Sequence, residues 1–239
     1  MDFKWLEKDE LWNKYKVFGS FYNIKLNENK IIQCRNDLRI YDKSYFEEHS
    51  INENPQLLVI MMNPGNSLPL DKQYEIPCYT QGEAINEIPK TPNVETVPDA
   101  TQYQIMRIMY NMGYNYVKVI NISDLRNPLS NNFLREIKEI NQLHPIHSLF
   151  YKDRETELLR IFTNLDDKSI ILKAWGISAV NQCSVFKQLV KNCLESLPNN
   201  QPHLGLQGET FYHFRHPLPF PPWNKKKQLK WLQGISKHF

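Results

Sequence analysis

Six apolar residues in a row, Leu57-Leu58-Val59-Ile60-Met61-Met62, run straight into Asn63-Pro64-Gly65-Asn66-Ser67. A strand this short and this uniformly apolar must be dry on both faces. That is the pattern of an inner strand of a parallel sheet, not the one-sided alternation of an exposed antiparallel one. Pro64 stiffens the backbone and Gly65 leaves no side chain in the way, so a sharp turn is predicted directly after the run. In open α/β sheets the ligand site lies beyond the carboxyl ends of the strands. Asn63, the first polar side chain past the run, is therefore the first candidate site residue.

Three later stretches repeat the pattern. Val117 to Ile122 is predicted as a second parallel strand, ending Asn121-Ile122-Ser123-Asp124-Leu125-Arg126. Ser169 to Trp175 is a third, stopped by Gly176. Thr210 to Phe214 is a fourth and runs into Arg215-His216-Pro217-Leu218. Helical periods fall between them near 101–112, 131–141, 151–164 and 177–197, with a last helix at 224–237. Asp99 reads as the cap of the first of these and Gly113 as its stop. Strands alternating with helices predict an α/β fold, a three-layer α/β/α arrangement around a central four-stranded parallel sheet. Val17 to Ile24 and Ile31 to Tyr41 predict a β-hairpin on the sheet edge. The expected organisation is an N-terminal extension over 1–50 and an α/β domain over 51–239. Residues 66–100 have no sustained period, and a loop that long is usually functional or disordered. His144-Pro145-Ile146-His147 has metal-like spacing, but its proline excludes a helical ligand pair.

Composition narrows the function classes. The chain has 239 residues, 41% hydrophobic, with 12% aromatics and a net charge of +3, which permits a nucleic-acid partner without requiring one. Cys34, Cys78, Cys183 and Cys193 form no C-x-x-C pair, so neither a metal nor another cofactor is expected. The start is unlike a signal peptide and no apolar run reaches membrane-spanning length. A reduced, soluble, cytoplasmic monomer is expected.

Taken together the four strand ends resemble the uracil-DNA glycosylase superfamily. Met61-Met62-Asn63-Pro64-Gly65 is similar to the G-[IM]-N-P-G motif of its mismatch-specific and single-strand-selective branches. Val119-Ile120-Asn121 resembles the L-L-L-N end of the second strand, and Leu172-Lys173-Ala174-Trp175-Gly176-Ile177-Ser178-Ala179 the L-L-W-G-x-x-A of the third. His216-Pro217-Leu218-Pro219 matches H-P-S-P at three positions of four. The resemblance covers about residues 55–235. Met61 stands where the family has Gly, and Leu218 where it has a Ser that touches a DNA phosphate.

The resemblance implies a monofunctional DNA glycosylase acting on a flipped, altered pyrimidine. Asn63 would hold the attacking water and His216 would donate to the base O2 as charge builds there. Asn121 would read the base edge, with Gly65 and Trp175 beside it. Tyr79 or Tyr74 would stack on the ring. Asn66, Ser67, Arg126, Arg215, Leu218 and Lys225 would meet DNA, and Phe220 or Trp223 would wedge the stack. Gly65 stands where the fast uracil enzymes carry a Tyr that blocks C5. An ungated pocket, open to bulky 5-modified cytosines as well as to uracil, is therefore expected, and that would suit defence against modified phage DNA. The residues also permit plainer roles. Asn63 and Asn121 can cap buried turns, His216 can be a satisfied turn histidine, Phe220 and Trp223 a packed lid, the Lys225 to Lys227 run a solvated face, and Asp124 with Arg126 a local ion pair. Two other functions fit the same residues: a catalytically inactive nucleic-acid- or nucleotide-binding member of the fold, and a hydrolase of free modified nucleosides.

Overall fold

A computed structural model of the chain describes residues 3–48, 54–218 and 224–239. In chain order its elements are α1 (Lys8–Lys14), β1 (Tyr15–Asn27), β2 (Lys30–Asp42), α2 (Lys43–Glu48), β3 (Leu57–Met61), β4 (Leu68–Pro69), β5 (Cys78–Thr80), α3 (Gln81–Glu87), β6 (Asn93–Val97), α4 (Ala100–Met112), β7 (Tyr116–Asn121), α5 (Ser130–Leu143), α6 (Glu155–Thr163), β8 (Ile170–Lys173), α7 (Ile177–Gln182), α8 (Ser184–Ser196), β9 (His203–Leu204) and α9 (Lys225–Ser236). The fold is mixed α/β. Among the described residues one sheet of nine strands runs in the order β4-β6-β1-β2-β7-β3-β8-β9, with β5 beside β1. No helix among them is long and apolar enough to cross a membrane.

β3 sits between β7 and β8 and pairs in parallel with both, and β9 adds in parallel to β8. Every β3 side chain is buried, and the pleat splits them. Leu58 and Ile60 join a core with Phe133, Ile137 and Phe186 of α5 and α8. Leu57, Val59 and Met61 join another with Ile105, Met106 and Met109 of α4 and Trp231 and Leu232 of α9. Each such side chain removed from water stabilises by roughly 1.5–3 kcal/mol. That two-sided burial is why the run is uninterrupted by polar residues.

Three features differ from the sequence expectation. Residues 210–214 are not a strand. Gly208 N–H closes a turn onto the His213 carbonyl at 2.7 Å, and only Phe214 makes a bridge, to Gln207. The fourth parallel strand is the two-residue β9. Gly205 ends it at φ 158, where a β-carbon would stand 2.8 Å from the Lys173 carbonyl. The hairpin is not an edge appendage either. β2 pairs antiparallel with β7, and β1 carries β6 and β5, so residues 15–42 and part of the 66–100 segment extend the sheet itself. Finally, the helix predicted over 177–197 breaks at Cys183, which is extended at φ −137.

A buried polar cluster braces the loop after β7. Asp124 accepts from Arg154 at 2.5 Å and from the Tyr22 hydroxyl at 2.7 Å, while Arg154 Nε and Nη2 both reach Glu157 at 2.9 Å. Asn36 Nδ2 donates to Glu157 at 3.0 Å. The partner of Asp124 is thus Arg154, not Arg126. Burial pushes the Asp124 carboxyl up to about 6, with Glu157 adding to it and Arg154 opposing it. His147 is pushed down to about 3 by burial, and its Nδ1 lies 2.9 Å from Ser123 Oγ. It is a neutral core histidine. Because Arg154 serves two buried carboxylates, Arg154→Met should strand both and cost on the order of 3–5 kcal/mol in urea unfolding. A loss near zero would show that the carboxylates find other partners.

Candidate active site at the strand ends

Backbone pairing continues past β3 and β7: Ile122 N–H donates to Met61 O at 2.8 Å and Ser123 N–H to Met62 O at 3.1 Å. The two chains therefore leave the sheet side by side and bring Asn63 against the loop after Asn121. Asn63 Nδ2 donates to the carbonyls of Pro64 (3.0 Å), Leu125 (3.2 Å) and Asn127 (2.8 Å). Three acceptors share its two amide hydrogens, which fixes the amide orientation and turns Oδ1 the other way. Oδ1 has no hydrogen-bond partner among the described residues. Asn63 is thus a fixed, neutral acceptor.

Asn121 closes β7 in register with Met61. The pleat places it on the face of Val117 and Val119, beneath α4. It is 1% exposed, and neither Oδ1 nor Nδ2 has a partner. It is the one side chain among the described residues with two buried, unpartnered polar atoms. Leaving such a group unsatisfied costs roughly 1–3 kcal/mol, so a flat donor–acceptor pair is held unpaired at the strand end.

His216 arrives on the segment that packs along the end of β8. Gly176 N–H donates to Phe214 O at 2.9 Å. Gly176 itself adopts φ 94, and a β-carbon there would stand 3.6 Å from the His216 Cβ. Residue 176 must be Gly for the turn, and His216 lies directly over it. Gln104 of α4, fully buried, fixes the same segment from the other side: its Nε2 donates to Pro217 O at 3.2 Å and to Gln228 O at 3.3 Å. Leu218 N–H donates to His216 Nδ1 at 3.1 Å, which in the neutral ring leaves the proton on Nε2. Nδ1 also lies 3.2 Å from Leu218 O, the acceptor it would use if protonated. Burial holds the ring below the usual histidine range, opposed by the Leu218 contact and the Asp99 charge.

Gly65 does not leave an open wall. A β-carbon built on it would collide with Asp99 Oδ2. Asp99 caps α4 through Oδ1, which accepts from Thr101 N at 2.9 Å and Gln102 N at 3.1 Å. The second oxygen is left against the turn after Asn63. The space beside Gly65, expected to be open, holds a carboxylate.

Several expected DNA contacts are turned inward. Ser67 is buried; its Oγ accepts from Arg35 Nη1 and its carbonyl from Arg126 Nη2 at 2.9 Å. Arg126 also lies 5.2 Å over the Phe21 ring. Both arginines pin the loop after β3 to the sheet, and Arg35 was not among the residues singled out in the sequence. Nothing in the polar run Gln33 to Asp37 sets it apart in the sequence. Trp175 is fully buried and spends its indole N–H on Tyr212 O at 3.0 Å, so it is a core residue, not a base platform. Tyr79 bonds Thr91 Oγ1 at 3.0 Å and packs on Tyr22 at 6.3 Å, beside α3. Lys225 pairs with Glu7 at 2.9 Å. Asn66 and Arg215 are exposed, and Leu218 is half-buried beside His216. Phe220 and Trp223 lie outside the described residues. Among the described residues no group of three or more His, Cys, Asp or Glu is placed to hold a metal.

No family model, curated protein or solved structure matches this chain. One consequence of the site geometry is open to direct measurement. Nitrogen-15 NMR of the His216 ring should show the Nε2–H neutral tautomer at pH 7, titrating below free histidine; a ring protonated at pH 7 would contradict the burial argument.

Proposed function

We propose that the chain is an N-glycosyl hydrolase, a DNA glycosylase that releases a flipped, altered pyrimidine and leaves an abasic site. The observation that carries this reading is Asn63: its amide hydrogens are committed to three carbonyls, so its oxygen is presented as a fixed acceptor for a water. Breaking an N-glycosidic bond leaves positive charge on the sugar and negative charge on the base. The three groups suit that separation. Asn63 Oδ1 orients the water toward C1′, His216 Nε2–H stabilises the charge forming on the base oxygen, and Asn121 offers one donor and one acceptor to the base edge. A neutral histidine is an adequate donor, since it need not transfer its proton. The order of parallel strands, β7-β3-β8-β9, is compatible with a glycosylase-like core. We further propose that the protein acts in the cytoplasm on either uracil-like or 5-modified bases, in repair or in defence.

A second reading has its own support. Ser67 and Arg126, expected to meet DNA, are engaged within the chain, and Lys225 is paired with Glu7 at the surface. Fewer free cations weaken the electrostatic grip on a polymer, which favours a hydrolase of free modified nucleosides. The two readings separate in one assay: abasic-site formation on single- and double-stranded DNA carrying uracil, mismatched thymine, hypoxanthine or hypermodified cytosines, beside base release from the corresponding nucleosides. On whichever substrate is cut, Asn63→Ala and His216→Ala should each keep the fold by circular dichroism and slow base release by on the order of 10²–10³-fold. Wild-type rates in both variants would remove the assigned roles.

A further inference from the structure

Asp99 has one more oxygen than a helix cap needs. Oδ1 alone satisfies the two backbone N–H groups at the start of α4. Oδ2 has no hydrogen-bond partner among the described residues and lies so close over Gly65 that no side chain fits there. Two residues of chain span at most about 7 Å, so this oxygen stands within one water molecule of the turn that carries Asn63. The same oxygen is on the face of the sheet that holds the unpartnered amide of Asn121, because α4 packs on that face. His216 is tied to α4 through Pro217 and Gln104. The free oxygen of Asp99 thus lies on the strand-end edge from which Asn63, Asn121 and His216 project. The charge of Asp99 is felt both by the His216 ring and by Arg35, the buried cation that holds Ser67.

We propose that Asp99 is a catalytic residue of this site, the base that takes the proton from the water Asn63 holds. An amide can orient a water but cannot accept its proton, so a site built on Asn63 alone lacks a proton acceptor. In the step, the water oxygen forms a bond to C1′ and one of its protons passes to Asp99 Oδ2. The C1′–N bond breaks, and its electron pair leaves with the base, whose oxygen is hydrogen-bonded by His216 Nε2–H. The departed base anion then takes a proton from solvent. The carboxylate also faces the sugar while it carries positive charge. On this account residue 65 is Gly because the carboxylate must approach the turn. This proposal rests on the reading of the site as an N-glycosyl hydrolase.

The test uses the full chain and the substrate found with the DNA and nucleoside panel. Asp99→Asn keeps a good cap, since Asn and Asp serve that position about equally, and it removes only the base. Its melting temperature should match the wild type, its substrate affinity should be unchanged, and single-turnover base release should fall at least about 100-fold. Independently of turnover, Asp99→Asn should move the His216 NMR titration to lower pH, since it removes the negative charge that faces the ring. Wild-type release by Asp99→Asn while Asn63→Ala and His216→Ala are inactive would show that Asp99 is only a cap, leaving the hydrolase reading intact. An unmoved His216 titration would refute the juxtaposition. A wild-type chain that releases no base from any DNA or nucleoside would overturn the hydrolase reading and this proposal together.

Discussion

A strand that is dry on both faces has one place for chemistry, which is its end. β3 buries Leu58 and Ile60 against one helical layer and Leu57, Val59 and Met61 against another. A polar side chain along it would have no water and no partner, and the cost of such burial exceeds what any one contact returns. Polar function is therefore pushed beyond Met61, and β7, parallel to β3 and in register with it, brings its last residue to the same edge. Asn121 and the turn at Gly176 follow from the constraint that places Asn63.

What turns an edge into a site is the treatment of its polar groups. Most are spent on the fold. Arg154 bridges Asp124 and Glu157 beneath the loop after β7. Arg35 and Arg126 converge on Ser67, and Trp175 donates to Tyr212. Other atoms are left unspent: Asn63 Oδ1, both ends of the Asn121 amide and Asp99 Oδ2, alongside second atoms of the bracing residues such as Asp124 Oδ1, Arg35 Nε and Arg126 Nε. The same local hydrogen bonds that stabilise the chain fix the orientation of these free atoms, so pre-organisation of the site needs no separate scaffold.

How much of this was legible in the sequence follows from range. The run at 57–62 declared itself as a strand because two-sided burial writes an uninterrupted apolar pattern, and 117–122 and 169–175 were legible as short apolar runs although Lys118 and Lys173 interrupt them. The stretch 210–214 had a strand-like alternation of aromatics, yet Gly205 and Gly208 divert the backbone there, and Phe211 ends exposed. The hairpin of β1 and β2 was readable, but its partner was not, since nothing local says that Leu38 to Tyr41 will pair with β7. Asn63, Asn121 and His216 were legible as strand-end residues. Trp175 and Arg126 have the right residue types for ligand contact, and only the packing shows that their polar atoms are already engaged. Asp99 could be read as a cap from its neighbours, but the position of its second oxygen depends on a turn 34 residues earlier in the chain, at Gly65.

The carboxamide of Gln104 links two events that could have been separate. One nitrogen is shared between the carbonyl after His216 and a carbonyl in α9. Trp231 of α9 adds a second tie, donating to Arg215 O at 3.2 Å. Docking of the terminal helix and placement of the histidine are therefore coupled through the same hydrogen bonds. Amide hydrogens of α9 and of the 215–218 segment should exchange as a single group, and fraying of the carboxyl terminus should loosen His216 before the sheet itself unfolds.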